Sequence, residues 1–273
     1  MYDEPIFSTS SIWILFVLFH PNAAYKQPGT NNTYLCYPAA VAYLATGGDL
    51  LSNSGNDLKK FSGRLAGLIW GLFLYALGIA FTIEADFGYS PWDVFHQGIS
   101  NIAGISIGNA SIVLGLVICV ALYLLRESLG LGTLLNMVVI GVILDLILES
   151  KLIPAMDGPI SGTAMMILGL FVISLATFFY MRSGFGSGPR DGLMVALERR
   201  SGLSVGICRA AIESLAVLLG WLMGGPVGFG TLIAAFGTGL CIQITFSLFG
   251  FNSTEVKHEN LGETARFLLK TAF

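Results

Sequence analysis

From Phe61 onward the chain alternates long apolar runs with short polar breaks. The runs cover about 61–83, 108–125, 131–149, 162–181, 205–223 and 229–250. Each is near the ~20 residues that cross a hydrocarbon layer of ~30 Å. In lipid only a segment that satisfies its own backbone hydrogen bonds can span, so the pattern predicts six helices. Two breaks are unusual: between the first and second runs, and between the fourth and fifth, lie polar stretches of about twenty residues rich in Gly and Pro. They contain Phe87-Gly-Tyr-Ser-Pro-Trp-Asp93 and Phe185-Gly-Ser-Gly-Pro-Arg-Asp191. Pro at a first helical position with an acid two residues later is a helix opening, and the Asp is expected to help satisfy free backbone N–H groups. The short helices so predicted, Pro91 to about Ala103 and Pro189 to about Ser201, would rise about 20 Å, too little to cross.

The sequence also repeats itself. Aligned without gaps at an offset of 98, residues 66–149 match residues 164–247 at 20 positions. The shared positions include Phe87-Gly88-x-x-Pro91-x-Asp93 with Phe185-Gly186-x-x-Pro189-x-Asp191, and Gly130-x-Gly132-Thr133-Leu134 with Gly228-x-Gly230-Thr231-Leu232. Each copy holds three runs, so the second enters the membrane from the opposite side. Charge agrees. Residues 85–107 hold no Lys or Arg, whereas the matching 182–204 hold four Arg. Retention of basic residues on the cytoplasmic side then puts both ends of the chain there, with Lys151 as the one basic exception. The expected fold is an all-α, polytopic membrane helix bundle: six spans in a three-plus-three inverted repeat with two short broken or re-entrant helices. Its membrane part is residues 61–250 (repeats about 61–150 and 160–250), followed by a cytoplasmic tail, 251–273.

Composition sharpens the class. Hydrophobic residues make up 54% and charged residues 11% of the 273, less than half the ~25% of soluble domains. A net charge of −3 gives no basic surface for nucleic acid. Cys119, Cys208 and Cys241 sit in apolar runs and Cys36 stands apart, with no CxxC spacing, so they read as packing residues and neither a disulfide framework nor a metal site is expected. No cofactor is expected. Residues 1–60 lie outside the repeat. The acidic start (Asp3, Glu4) argues against a secretory signal, and the segment is taken as a poorly ordered extension or the product of a start placed too far upstream.

The candidate chemistry is concentrated in the breaks and in one span. Gly88, Gly186 and Gly188 are expected to unwind the chain before Pro91 and Pro189, so that two half-helix openings face each other near the midplane. Such paired interruptions in inverted halves mark transporter binding sites. Asp93 and Asp191 would favour a cation or proton there, and Arg190 an anionic group. Arg209 and Glu213, four residues apart on the fifth run, are costly in lipid unless paired or facing a cavity. Asp145, near the end of the third run, is a further candidate, and Gln243 takes its place in the second copy. Asn136 and His96 carry weaker signals. For each the bland alternative is a cap, an interhelical hydrogen bond or a structural ion pair. The two Gly-x-Gly-Thr segments lack the Lys of a phosphate loop and read as tight helix packing.

These motifs together resemble the YitT/YczE family of bacterial integral membrane proteins. The resemblance is carried by Pro91-Trp92-Asp93, by Gly130 to Asn136 with Asp145, by Gly188 to Met194, by Arg209 to Glu213 and by Gly224 to Thr231, over residues 62–248. It implies a multi-pass protein of the bacterial cytoplasmic membrane, related to transport, and carries no catalytic residues across. The reading that follows is a small-solute secondary transporter or permease, not an enzyme, driven by a gradient or a separate subunit because no nucleotide motif is complete. Its expected partners are the lipid bilayer, a small solute or ion and, on size alone, a second copy in a homodimer. The rival reading is a non-transporting membrane protein that supports assembly or regulation of another complex.

Overall fold

The structure, a computed structural model, describes residues 54–272; Cys36 and most of the segment 1–60 lie outside it. The described residues form helices α1 (Ser54–Glu84), α2 (Pro91–Ala103), α3 (Ile107–Leu124), α4 (Leu131–Ser150), α5 (Pro159–Arg182), α6 (Pro189–Ser201), α7 (Val205–Leu222), α8 (Phe229–Leu248) and α9 (Leu261–Ala272). Six of them, α1, α3, α4, α5, α7 and α8, are long and apolar enough to cross a membrane. They coincide with the six apolar runs to within a few residues. Large apolar side chains cover the outside: Trp70, Leu124, Trp221, Phe236 and Leu248 are all exposed, as a surface bathed in lipid tails allows. This is an integral, multi-pass membrane protein.

Helices α1 and α5 cross at the centre, and small residues let them approach. A Cβ added at Gly71 would lie 2.9 Å from Tyr180 N and 3.1 Å from Ala176 O; one at Gly78 would lie 2.7 Å from Ile173 Cγ1 and 3.0 Å from Gly169 O. One at Gly169 would lie 2.9 Å from Gly78 O. Where lipid supplies no hydrophobic drive, close backbone approach of this kind holds helices together. Around the crossing packs an apolar core that includes Leu68, Leu72, Ile79, Ile140, Leu144, Ile173, Tyr180 and Phe185. α4 flanks α1, and α8 flanks α5.

The short helices are exchanged between the two halves. α2 packs chiefly against α7 and also against α3, and α6 packs against α3 and α7 about equally. Their preceding loops dock on the starts of α8 and α4. Gly230 N–H donates to Phe87 O at 2.7 Å, and Gly132 N–H donates to Phe185 O at 2.7 Å. Both donors belong to the first turn of a helix, where N–H groups have no partner within the helix. Gly88 (φ 104°) and Gly186 (φ 114°) take backbone angles that favour glycine. A Cβ on Gly88 would also stand 2.5 Å from Gly228 N. The Gly-x-Gly-Thr segments are therefore docking surfaces and helix caps, with Gly130 N–H to Thr133 Oγ1 at 3.3 Å and Gly228 N–H to Thr231 Oγ1 at 3.1 Å.

The two ends of the bundle differ in charge. One end gathers the start of α1, the α3–α4 turn, the end of α5 and the tail: Arg64 pairs with Glu259 at 2.6 Å and donates to Ser183 O at 2.8 Å, Arg199 pairs with Glu127 at 2.9 Å, and Leu261 N–H meets Leu129 O at 3.0 Å. The other end joins Met156 to Glu84 and Tyr89 to Pro226 by backbone bonds, and Asn101 Nδ2 to Gly224 O at 3.0 Å.

Substitution at the crossing tests this account. Gly78→Leu forces side-chain atoms into the α5 backbone and should cost about 1–3 kcal/mol, as overpacking does, read as a lower melting temperature in detergent. Gly67→Ala, where an added Cβ meets nothing within 4 Å, should leave the melting temperature unchanged or raise it.

Candidate functional site

Between the exchanged short helices and the α1–α5 crossing lies a polar cavity of about 90 Å³. A buried site needs ~10–15 Å³ of such space to hold one water, so this one admits a few heavy atoms. Asp93, Asp191, Arg190, Arg209 and Glu213 all line it, together with Pro91, Gly188 and Pro189 at the half-helix openings. Residues 98 apart in sequence both line it: Asp93 and Asp191, Trp92 and Arg190, Ser111 and Arg209, Gly115 and Glu213, Asn136 and Ala234. Gly88 and Gly186 stand behind the wall, against Gly228 and Gly130.

The first opening is closed in on itself. Asp93 and His96 are both 1% exposed. Asp93 accepts the Ser90 hydroxyl through one oxygen and faces His96 Nδ1 at 3.3 Å through the other. Arg190 Nη2 lies 3.1 Å from His96 Nε2. A guanidinium only donates, so Nε2 accepts, and the ring proton sits on Nδ1, where it is donated to Asp93. Arg190 also stacks on Trp92, its Cζ 5.0 Å from the ring centre. An Arg–His–Asp chain thus ties α6 to α2 across the two halves.

This arrangement corrects one expectation. Asp93 and Asp191 do not cap their own helices; their hydrogen-bond partners are side chains, Ser90 and His96 for the first and the Tyr180 hydroxyl for the second. Neither half-helix has a side-chain cap bond. The side-chain donors within reach supply a charged carboxylate with hydrogen bonds that the first-turn amides were expected to give.

Arg209 and Glu213 form the expected pair, 2.8 Å apart, at 32% and 12% side-chain exposure. Asp145 sits elsewhere. Its carboxylate accepts Gly108 N–H at 2.8 Å and the Ser106 hydroxyl, which fastens the end of α4 to the start of α3 outside the cavity. The first half-helix is not a surface connector either, since Pro91, Trp92, Asp93, Val94, His96 and Gly98 are buried within the bundle; in the second, Pro189, Met194 and Ala196 are buried while Arg199, Arg200 and Ser201 are exposed.

Sequence reasoning underweighted His96 and passed over Tyr75, Tyr180 and Thr238, which also line the cavity or bond to its walls. The tyrosines sit inside apolar runs, where a ring reads as core packing; only their hydroxyls separate them from phenylalanine. On the tail, burial holds the His258 imidazole below its usual range while Asp191 pulls it the other way. His258 is therefore predominantly neutral near pH 7.

Comparison with known proteins agrees with this architecture. The family of unknown function DUF6198 matches residues 62–247. The chain is similar to the uncharacterized membrane protein YczE of Bacillus subtilis (strain 168), with 35% identity over 177 residues, 64% of this chain and 81% of the relative. It is also similar to an uncharacterized protein of Haemophilus influenzae, with 32% identity over 181 residues, 66% of this chain and 82% of that one. The uncharacterized protein YyaS of Bacillus subtilis (strain 168) shares 27% identity over 177 residues, 64% of this chain and 88% of the relative. No solved structure matches the chain.

The α7 ion pair yields a stability test. Glu213→Leu leaves Arg209 without its partner in the cavity wall, whereas Arg209→Leu/Glu213→Leu removes both charges. The single variant should melt lower in detergent than the double, with a coupling of roughly 1–2 kcal/mol because Arg209 is partly exposed.

Proposed function

The chain belongs to the DUF6198 family, among whose YczE-type membrane proteins it finds its relatives, and on that footing we propose that it is a small-solute secondary transporter or permease of the bacterial cytoplasmic membrane. The observation that carries this reading is the lining of the central cavity by matching positions of the two copies, with both half-helix openings at its wall. Broken helices that meet at the junction of two repeats are the usual construction of a transport site. The copies act as an inverted three-plus-three repeat. The pairwise exchange of α2 and α6, and the twin bonds Gly230 to Phe87 and Gly132 to Phe185, support it. The basic end faces the cytoplasm, with both ends of the chain on that side, in keeping with retention of Lys and Arg. The protein performs no chemistry on its solute.

One asymmetry supports alternating access. At the opposite end from the basic one, α3 and α4 are shut: a Cβ on Gly108 would lie 2.1 Å from Gly141 O, and Asp145 binds across the seam. The matching residues at the basic end are Gly206, Gly239 and Gln243. There an added Cβ at Gly206 or Gly239 meets nothing within 4 Å, Gln243 is exposed, and α7 and α8 make at most slight contact. The arrangement is that of a carrier open toward its basic end. In the opposite state α7 and α8 close as α3 and α4 do here, and α3 and α4 part.

The test uses a background lacking the four native cysteines with Thr238→Cys as a reporter in the cavity wall. A membrane-impermeant thiol reagent should label it from either side. Joining Gly206→Cys to Gly239→Cys by oxidation should abolish labelling from the basic side and preserve it from the other. Labelling from one side only, with no effect of the cross-link, would overturn transport in favour of a static role in assembly or regulation of another complex.

A further inference from the structure

The two motif carboxylates occupy equivalent places, yet their surroundings differ in a way that separates their roles. Asp93 is satisfied by two neighbours on its own half-helix, Ser90 and His96. The residues at the same positions in the second copy are Gly188 and Met194. Both substitutions remove a hydrogen-bond donor. Gly188 stands close to the second carboxylate: a Cβ built there would lie 3.3 Å from Asp191 Oδ2 and 3.5 Å from both the oxygen and the nitrogen of the Asn136 amide.

The other charges of the cavity are accounted for. Arg190 holds His96 and Trp92, Arg209 holds Glu213, and Asp93 is closed in by Ser90 and His96. Asp191 has the Tyr180 hydroxyl as its hydrogen-bond partner, and no basic group stands within ion-pair distance of it among the described residues. Three carboxylates against two guanidinium groups leave the lining one positive charge short of balance. A half-buried carboxylate in low dielectric calls for a positive partner.

We propose that Asp191 is the ligand-anchoring carboxylate of the cavity and takes the ammonium group of a small organic cation, while Asp93 is its structural counterpart. This rests on the reading of the cavity as a solute site. The carboxylate, the Tyr180 hydroxyl and the Asn136 amide oxygen supply acceptors for ammonium N–H groups, and the rings of Tyr75 and Tyr180 border the same space. Met137, Ile140, Ile173 and Met194 offer an apolar wall for a short carbon chain. The apolar side favours a cation that carries a carbon chain over a bare alkali ion, which gains nothing from it.

The experiment measures binding to the full chain in detergent by the ligand-dependent rise in melting temperature, with ethylammonium chloride as probe and sodium chloride at equal ionic strength as control. Ethylammonium should stabilise the protein in a saturable way and sodium should not. Asp191→Asn should weaken the apparent affinity about tenfold to a hundredfold, the range of a lost charged hydrogen bond. The decisive variant is Gly188→Ser/Met194→His, which rebuilds around Asp191 the partners that Asp93 has; it should fold with an unchanged or higher melting temperature and lose the ethylammonium response. An equal response to sodium, or a response that survives both Asp191→Asn and Gly188→Ser/Met194→His, would overturn the proposal. Binding without two-sided labelling of Thr238→Cys would retain the cation site and refute transport; two-sided labelling without ethylammonium binding would do the reverse.

Discussion

Two backbone hydrogen bonds, Gly132 N–H to Phe185 O and Gly230 N–H to Phe87 O, hold the design together. A helix that begins inside a low-dielectric bundle exposes first-turn N–H groups, and a chain that breaks inside it exposes carbonyls. Each is expensive alone. Here the opening of a long helix in one half satisfies the break before a short helix in the other, and the relation holds in both directions. Glycine at Gly88, Gly130, Gly186 and Gly228 is what lets the backbones come close enough for the bonds to form.

That mutual docking locates the polar chemistry. Because each loop is tied to the opposite half, Pro91 and Pro189 open their helices beside the same space, and Asp93, Arg190 and Asp191 arrive there with them. Arg209 and Glu213 reach the space from α7, which carries α2 on its flank. Charges that would be prohibitive against lipid become tolerable against one another and against water in a cavity. The same geometry couples the halves: the Arg190–His96–Asp93 chain cannot persist unchanged if α6 moves relative to α2.

Seen this way, the departures from symmetry carry the information. Matching positions bear different residues at the cavity, Ser90 against Gly188, His96 against Met194, Ser111 against Arg209 and Gly115 against Glu213. Asp145 closes one seam, and at the matching seam Gln243 is exposed. A duplicated scaffold supplies two equivalent positions for each side chain, and substitution gives Asp93 and Asp191 different hydrogen-bond partners.

Much of the fold was legible in the residues themselves. Apolar runs of about twenty residues cross a membrane because their length matches the hydrocarbon layer and their backbone must satisfy itself, and both short helices start where Pro91 and Pro189 say they should. The offset of 98 residues, with Pro-x-Asp and Gly-x-Gly-Thr in both copies, identified where the unusual chemistry sits. What the chain in one dimension could not decide is which polar groups meet. His96 looks isolated until Arg190 is brought 94 residues across the bundle to its Nε2; Tyr180 looks like core until its hydroxyl finds Asp191. Asp145 was one candidate acid near the end of its run, and only the fold puts Ser106 and Gly108 N–H of α3 against it. Periodicity and length are local properties, set by the solvent around each helix, whereas hydrogen-bond partners depend on how the helices cross, and that was decided by the α1–α5 contact and the exchanged loops.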